Sequence, residues 1–300
     1  MLYFLFSIIG TMSIFSIIAF VLILVGVNLP FVEALSYDER PLYNFFITFS
    51  VAYYQDLSLL RPAGFFDEPG MLAFVLFISI ILNDLTLKNK FFRLIFIIAG
   101  FSTLSLAFIL IYSFYFFTNL EFIKKIKYVF LIFISILILF ILFQDSYIFE
   151  VVNHHTIGRL AFDENSEGFF HGDNRTSEVL KSFDLLLSEP NKFIFGFGYQ
   201  EIITKYGYTL SSNFIAPILY NGILGYVLFL HYLVIVFKPF KRMMLNFKIN
   251  KQEFIIALSL LFLIMQRPSP FGILTMLLII FIIESLYNKN KGVKVNENSN

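Results

Sequence analysis

The sequence contains no cysteine. Disulfides, thiol catalysis and cysteine-ligated metals are thereby excluded, and the redox compartment stays open. Charge is scarce too. Asp, Glu, Lys and Arg make up 14% of the 300 residues, against about 25% in soluble domains. The net charge is only +1, so no excess of one sign predicts a nucleic-acid partner. The amino terminus lacks the basic start and small-residue cleavage site of a signal peptide. Its apolar run is also too long for one, so a retained helix is expected there. Alternating strands of about ten residues, which a membrane β-barrel needs, are missing as well.

What remains is overwhelmingly apolar. Hydrophobic residues are 58% of the chain, and 42 Phe are far more than one soluble core requires. The apolar runs approach the roughly 20 residues of a bilayer crossing. Together they predict an all-α polytopic membrane protein of about eight transmembrane helices, with one large extracytoplasmic loop containing an amphipathic helix. Residues 1–144 should hold helices one to five with an outer re-entry loop at 29–69. The large loop covers 145–213, helices six to eight fall within 214–287, and 288–300 forms a disordered cytoplasmic tail. An apolar patch at 42–54 reads as re-entrant or interfacial.

Orientation follows from Lys and Arg, which concentrate in cytoplasmic loops. The clusters are Lys88/Lys90, Lys124/Lys125/Lys127, the stretch 238–251, and Lys289/Lys291/Lys294. All four reach the cytoplasm only if 92–119 crosses twice, as a hairpin turning near Ser102–Ser105. That parity puts 14 basic and 5 acidic residues inside, 8 basic and 16 acidic outside, and both termini in the cytoplasm. The 238–251 stretch, basic with apolar residues interleaved, reads as a positive-inside loop or else as an interfacial helix drawn to anionic lipid.

Residues with chemical potential gather on the outer side. Arg61-Pro-Ala-Gly-Phe-Phe-Asp-Glu-Pro-Gly70 has an irregular backbone set by two prolines and two glycines, with Arg61, Asp67 and Glu68 in the turn. Polar backbone at membrane depth is tolerated only against protein or a water-filled cavity. These side chains either grip a phosphate and position a hydroxyl, or brace the loop through an Arg61–Glu68 pair. The large loop carries ten acidic and five basic residues and three of the four His. In it, Val179, Leu180, Phe183, Leu186 and Leu187 have helical spacing. The helix should start within 174–177 and stop before Pro190.

Arg175 falls at that helix start, where N–H groups and the dipole favour an anion. The anion is either a ligand or a neighbouring carboxylate, Asp173 or Glu178. Arg159 is a second phosphate-contact candidate in the same loop. Gly196-Phe-Gly198 is followed by no Rossmann helix pattern, so it reads as close backbone packing. Ser212-Asn213 stands at the mouth of span six, and Tyr220-Asn-Gly222 and Gly225 lie a few turns inside it, where small residues let elements approach. His154, His155 and His171 have no metal-like spacing and read as solvated loop residues. His231 falls within span six, and Arg267 in the outer turn 267–270 reads as structural.

This ordered set resembles the O-antigen polymerase/ligase superfamily, specifically its Wzy-type polysaccharide polymerases. The similarity runs over about residues 55 to 285. It rests on the R-x-x-G-x-F-x-E-P-G pattern at 61–70, the hairpin at Ser102-Thr-Leu-Ser105, and Arg175 with its amphipathic helix and Pro190. Gly196-Phe-Gly198, Ser212-Asn213 and Gly222-x-x-Gly225 complete it. Family members usually have several more spans. The resemblance implies a membrane glycosyltransferase that polymerises undecaprenyl-pyrophosphate-linked oligosaccharide repeat units into O-antigen, capsule or exopolysaccharide at the outer face of the bacterial inner membrane. Arg175 and Arg61 match the arginines that engage the pyrophosphate, with Arg159, Ser212 and Asn213 as further substrate contacts. Glu68 or Asp67 is the expected catalytic carboxylate on the acceptor side.

No metal and no cofactor is implied. The expected partners are the lipid-linked oligosaccharide, membrane lipid, a chain-length regulator and a flippase. The ligase pattern departs at two places, since it resembles Ser-Arg where this chain has Ser105-Leu106 and His-Asn where it has Ser212-Asn213. That favours polymerase over ligase. A flippase or transporter is the rival of another class. It would show paired halves and midplane charges, whereas here no halves are evident and the ionisable residues gather outside.

Overall fold

The computed structural model describes residues 2–25, 27, 32–35, 41–45, 47–52, 60–66, 68–119, 153, 174–206, 210, 213–238, 251–266, 275 and 277–286. Outside them lie Asp67, Arg159, Ser212, the expected span at 128–143, His154, His155, His171, most of 238–251, the 267–270 turn and the tail from 288. The described residues belong to two compact units, one within 1–83 and 87–161, the other within 84–86 and 162–300.

Most described residues are helical, as expected. The first unit begins with α1 (Leu2–Leu24), followed by strands β1 (Val32–Leu35), β2 (Pro41–Phe45), β3 (Thr48–Ala52) and β4 (Leu60–Gly64). Then come α2 (Pro69–Leu85), α3 (Lys90–Ser102) and α4 (Leu106–Asn119). The second unit contains α5 (Asn174–Ser188), α6 (Lys192–Phe195), α7 (Tyr199–Tyr206), α8 (Ala216–Phe237), α9 (Lys251–Gln266) and α10 (Leu277–Leu286). Two of these, α1 and α8, are long and apolar enough to cross a membrane; α2, α9, α10 and part of α4 are shorter apolar helices.

The strands are a departure from the expected re-entrant or interfacial patch. They form an antiparallel meander in the order β1-β2-β3-β4, with Phe45 opposite Thr48 across a tight turn. The stretch is rich in aromatic and β-branched residues, which suit a pleated surface. Its consecutive apolar residues hide the period-two pattern that would have announced it. Pro62 is accommodated because β4 is an edge strand.

The buried face of α1 mixes Phe6, Ile9 and Met12 with small residues. Gly10, Ser13, Ser16 and Ala19 are buried, and Ser16 hydrogen-bonds Thr48 of β3 at 2.8 Å. Phe4, Ile8, Ile14, Ile18 and Val21 point outward and are exposed. Water would penalise that arrangement, whereas close packing through small residues with large apolar groups facing out suits a lipid-exposed helix.

The following helix, α2, is hydrophobic all round and correspondingly buried from Leu72 to Asn83. It starts at Pro69, an N1 residue with preset φ, and the Glu68 carbonyl accepts from the Met71 and Leu72 N–H groups. It ends in a turn with Lys88 at φ 51°. There the Asn83 side chain donates to the Asn89 carbonyl and accepts from the Asn89 N–H, and the Asn89 side chain caps α3.

The helices α3 and α4 form the predicted hairpin. Its turn is Thr103-Leu104-Ser105, and Phe101 packs edge-on against Phe108 and Tyr112 across it. At one end Phe6 of α1 meets Phe92 and Phe96 of α3. At the other, Leu104 packs on Phe20, Ile23 and Leu24. Thus α1 and α3 run the same way, and the hairpin turn lies at the level of the α1 carboxyl end.

Candidate functional site

Within the first unit, Arg61 joins β4 to the turn between α3 and α4. This side chain is 5% exposed. Its Nε donates to the Thr103 carbonyl at 2.8 Å and its Nη2 to the Leu104 carbonyl at 3.1 Å. These carbonyls belong to the turn after α3, where helix geometry leaves acceptors without intrahelical donors. Leu104 has φ 48°, a left-handed conformation costing a branched residue about 1–2 kcal/mol. Such a conformation persists where its surroundings over-determine it. The guanidinium fork on one side and Phe20, Ile23 and Leu24 on the other supply that constraint. Thr103 adds two local bonds, Oγ1 donating to the Gly100 carbonyl and accepting from the Ser105 N–H.

The chain from Arg61 to Gly70 is therefore fastened to the hairpin 42 residues downstream. Glu68 follows at the start of α2, half-buried, where the helix presents its first N–H groups. The two motifs that stand far apart in the sequence, 61–70 and 102–105, form one structural wall. Arg61 is a clasp in that wall, which is a different duty from gripping a ligand in open solvent.

The second unit assembles the remaining landmarks. The amphipathic helix α5 spans Asn174–Ser188, within the bounds the sequence predicts, with Arg175 as its second residue. Leu185 and Leu186 pack in a cluster with Phe197, Ile202, Leu210, Ile215, Ile218 and Leu219, and Val179 lies against it. Asn213 is buried and fully engaged. Its Nδ2 donates to the Leu210 carbonyl at 2.8 Å and to Ser182 Oγ of α5 at 3.3 Å, while Oδ1 accepts from the Ile215 N–H at 2.9 Å. Asn213 thus ties α5 to the entry of α8 rather than presenting its amide to a ligand.

Gly196-Phe197-Gly198 does what close backbone packing requires, by a route the sequence does not announce. The α8 helix is broken at Gly222, with φ 62° and ψ −160°. In an unbroken helix the Leu219 and Tyr220 carbonyls would accept from Ile223 and Leu224. Here they accept from the Phe197 N–H at 2.8 Å and the Gly198 N–H at 3.0 Å. A Cβ at Gly196 would collide with the Tyr220 carbonyl, and one at Gly222 with the Ile194 carbonyl. The glycine loop is stitched into the broken ladder, so the Leu219 and Tyr220 carbonyls at the break are satisfied by protein. Tyr220 completes the junction, its hydroxyl accepting from the Leu210 N–H at 2.9 Å.

Two ion pairs brace this junction, Lys192–Glu201 and Lys205–Glu189. Both lysines also sit over the Phe197 ring, at 5.4 and 5.9 Å from its centroid. The hydrogen bond from Lys205 holds the Glu189 carboxyl below its ordinary range, aided by the charges of Lys205 and Lys192 and opposed by partial burial. A carboxylate with a lowered folded-state pKa stabilises the fold above the unfolded pKa and loses that contribution as pH falls through the folded one. Acidification through the lowered carboxylate range should therefore loosen α7 from Glu189, just past the end of α5. Hydrogen exchange of amides 199–206 should quicken on acidification relative to the unstructured-peptide rate. Glu189→Gln should start faster and respond less.

Arg61 and Glu68 lie in the first unit, Arg175 and Asn213 in the second. His231, in α8, is exposed. Among the described residues, no group of three His, Cys, Asp or Glu could hold a metal ion. Sequence reasoning missed the carbonyls of Thr103 and Leu104 as partners of Arg61, and Ser182 as the link to Asn213. Neither leaves a local signal, because each pairing joins distant parts of the chain. Comparison of the chain with family models, curated proteins and solved structures returns no match.

Proposed function

We propose that this chain is a multi-pass membrane glycosyltransferase that polymerises undecaprenyl-pyrophosphate-linked oligosaccharide repeat units at the outer face of the bacterial inner membrane. The observation that carries this reading is the pairing of the family-like motifs in space. The 61–70 segment is bonded to the hairpin turn through Arg61, and the Gly196–Gly198 loop to α8 at Leu219–Tyr220. Four motifs chosen for their order along the chain thus serve as two built junctions. The outward apolar faces of α1 and α8 support a membrane setting, and the helical hairpin supports the eight-span parity.

In the reaction, the acceptor hydroxyl attacks the anomeric carbon of the donor glycan. An oxygen–carbon bond forms, the bond from that carbon to the pyrophosphate oxygen breaks, and undecaprenyl pyrophosphate leaves as an anion. Arg175, at the start of α5, is assigned to that developing charge, with Arg159 as a second candidate contact. Preorganised donors matter most where charge develops in a dehydrated site. Glu68 or Asp67 takes the hydroxyl proton. Arg61 positions their segment through the turn it clasps, and Asn213 positions α5 on α8.

Removing one such donor costs about 100- to 1,000-fold in rate where it has been dissected. Arg175→Ala, expressed at wild-type level in a deletion strain, should leave surface glycans of one repeat in place of a long ladder. An unchanged ladder would remove Arg175 from the site. One observation favours a second reading, a transporter for the same lipid-linked glycan, because discontinuous helices are common in transporters. In transporters, however, the break exposes backbone to a ligand, whereas here the Leu219 and Tyr220 carbonyls are taken by Phe197 and Gly198.

A further inference from the structure

The helix α5 carries two apolar faces, and only one of them is buried. Leu185 and Leu186 face the cluster at the α8 entry. Leu180, Phe183 and Leu187 form a second stripe on the opposite side, with Leu187 74% exposed. The next helix, α6, buries no residue at all, and its Phe193, Ile194 and Phe195 are exposed, Phe195 to 80%. In water, six large apolar side chains displayed within sixteen positions would be a liability, and such patches mark an interaction surface.

The occupant follows from where the patch is fastened. The Ile194 backbone lies against Gly222, six residues into α8, which is about 9 Å along a helix rising 1.5 Å per residue. Further along, α8 also carries an outward apolar stripe, with Ile223, Leu224, Val227 and Leu228 exposed. Thus the α6 patch lies against a helix long enough to cross a bilayer, and its distance from the start of that helix matches the depth, about 5–10 Å, that interfacial helices reach. Asp184, exposed beside the α5 stripe, marks its water-side edge. The peptide groups of Phe197 and Gly198 can enter at that depth because they donate to Leu219 and Tyr220.

We propose that α6 and the outer stripe of α5 form a re-entrant element seated in the acyl–headgroup boundary of the bilayer beside α8, with lipid as its partner. The proposal rests on the membrane setting above and not on the glycosyltransferase chemistry. The absence of cysteine makes the test direct, since a single introduced thiol takes a nitroxide label at one place. Full-length Phe195→Cys, Leu187→Cys, Leu228→Cys and Gln200→Cys, each labelled and reconstituted in phosphatidylcholine/phosphatidylglycerol vesicles, are compared by power saturation with oxygen and with a water-soluble nickel chelate.

Labels at 195, 187 and 228 should favour oxygen, with nickel accessibility severalfold below that at Gln200, which is exposed on α7. Lipid accessibility at 228 with water accessibility at 195 and 187 overturns this proposal and leaves the membrane setting intact. Protection of 195 and 187 from both reagents also overturns it, in favour of a protein partner. Water accessibility at 228 as well defeats the membrane setting itself.

Discussion

Gly222→Ala should cost about 3 kcal/mol of stability, because backbone strain of 1–3 kcal/mol and overpacking of similar size act together. At φ 62° and ψ −160° the residue occupies a region that only glycine visits readily. Its new Cβ would also run into the Ile194 carbonyl, which is backbone and has no rotamer to escape into. Relief requires either a regular helix through position 222 or withdrawal of α6. Each of these breaks the bonds from Phe197 and Gly198 to Leu219 and Tyr220.

The glycines provide their own control. Gly196 has φ 77° and meets the Tyr220 carbonyl, whereas Gly198 has φ 75° and nothing within 4 Å. Gly196→Ala should therefore match Gly222→Ala. Gly198→Ala should pay for conformation alone, about 1 kcal/mol. Thermal unfolding of the detergent-solubilised protein gives the ranking. Equal losses at 196, 198 and 222 would mean that backbone conformation, and not the close approach, dominates.

Arg61→Ala should be the other large loss. Hydrogen bonds to charged groups contribute about 1.5–3 kcal/mol each, and deleting one partner leaves buried acceptors unsatisfied. With two carbonyls abandoned and Leu104 released from one side, the expected cost is on the order of 3–4 kcal/mol. Arg61→Lys should restore only part of it, because an ammonium lacks the planar fork that reaches two acceptors together. The comparison separates clasp from ligand grip. A clasp predicts a lowered unfolding midpoint in the absence of any substrate, with Lys between Ala and the native residue. If Arg61 acted only on the pyrophosphate, Arg61→Ala would unfold normally and lose product alone.

Legibility in the sequence divides along a physical line. The bounds of α5 were readable because the apolar spacing, polar start and Pro190 are local signals. The α3–α4 hairpin followed from charge, since only a double crossing put every basic cluster on one side. The meander escaped because consecutive apolar residues in Leu42–Val51 obscure alternation, and its pairing partners define it more than its propensity does. Gly222 inside an apolar run looks like a packing glycine, which a helix tolerates at about 1 kcal/mol. That it breaks the helix depends on donors from Phe197 and Gly198, more than twenty residues away. Arg61 was singled out as a phosphate grip or a partner of Glu68, but the partners of its Nε and Nη2 lie 42 and 43 positions downstream. The fold thus assigns it a structural bond that its charge alone does not disclose.

The proposed polymerase activity requires this chain itself to join repeat units. Its most direct test gives the purified protein undecaprenyl-pyrophosphate-linked repeat units in detergent micelles, with no second compartment and no other enzyme, and resolves the products by length. The account predicts a ladder of lipid-linked glycans longer than one repeat, lost with Arg175→Ala. Substrate recovered entirely as single repeats, from protein that unfolds cooperatively, would contradict it.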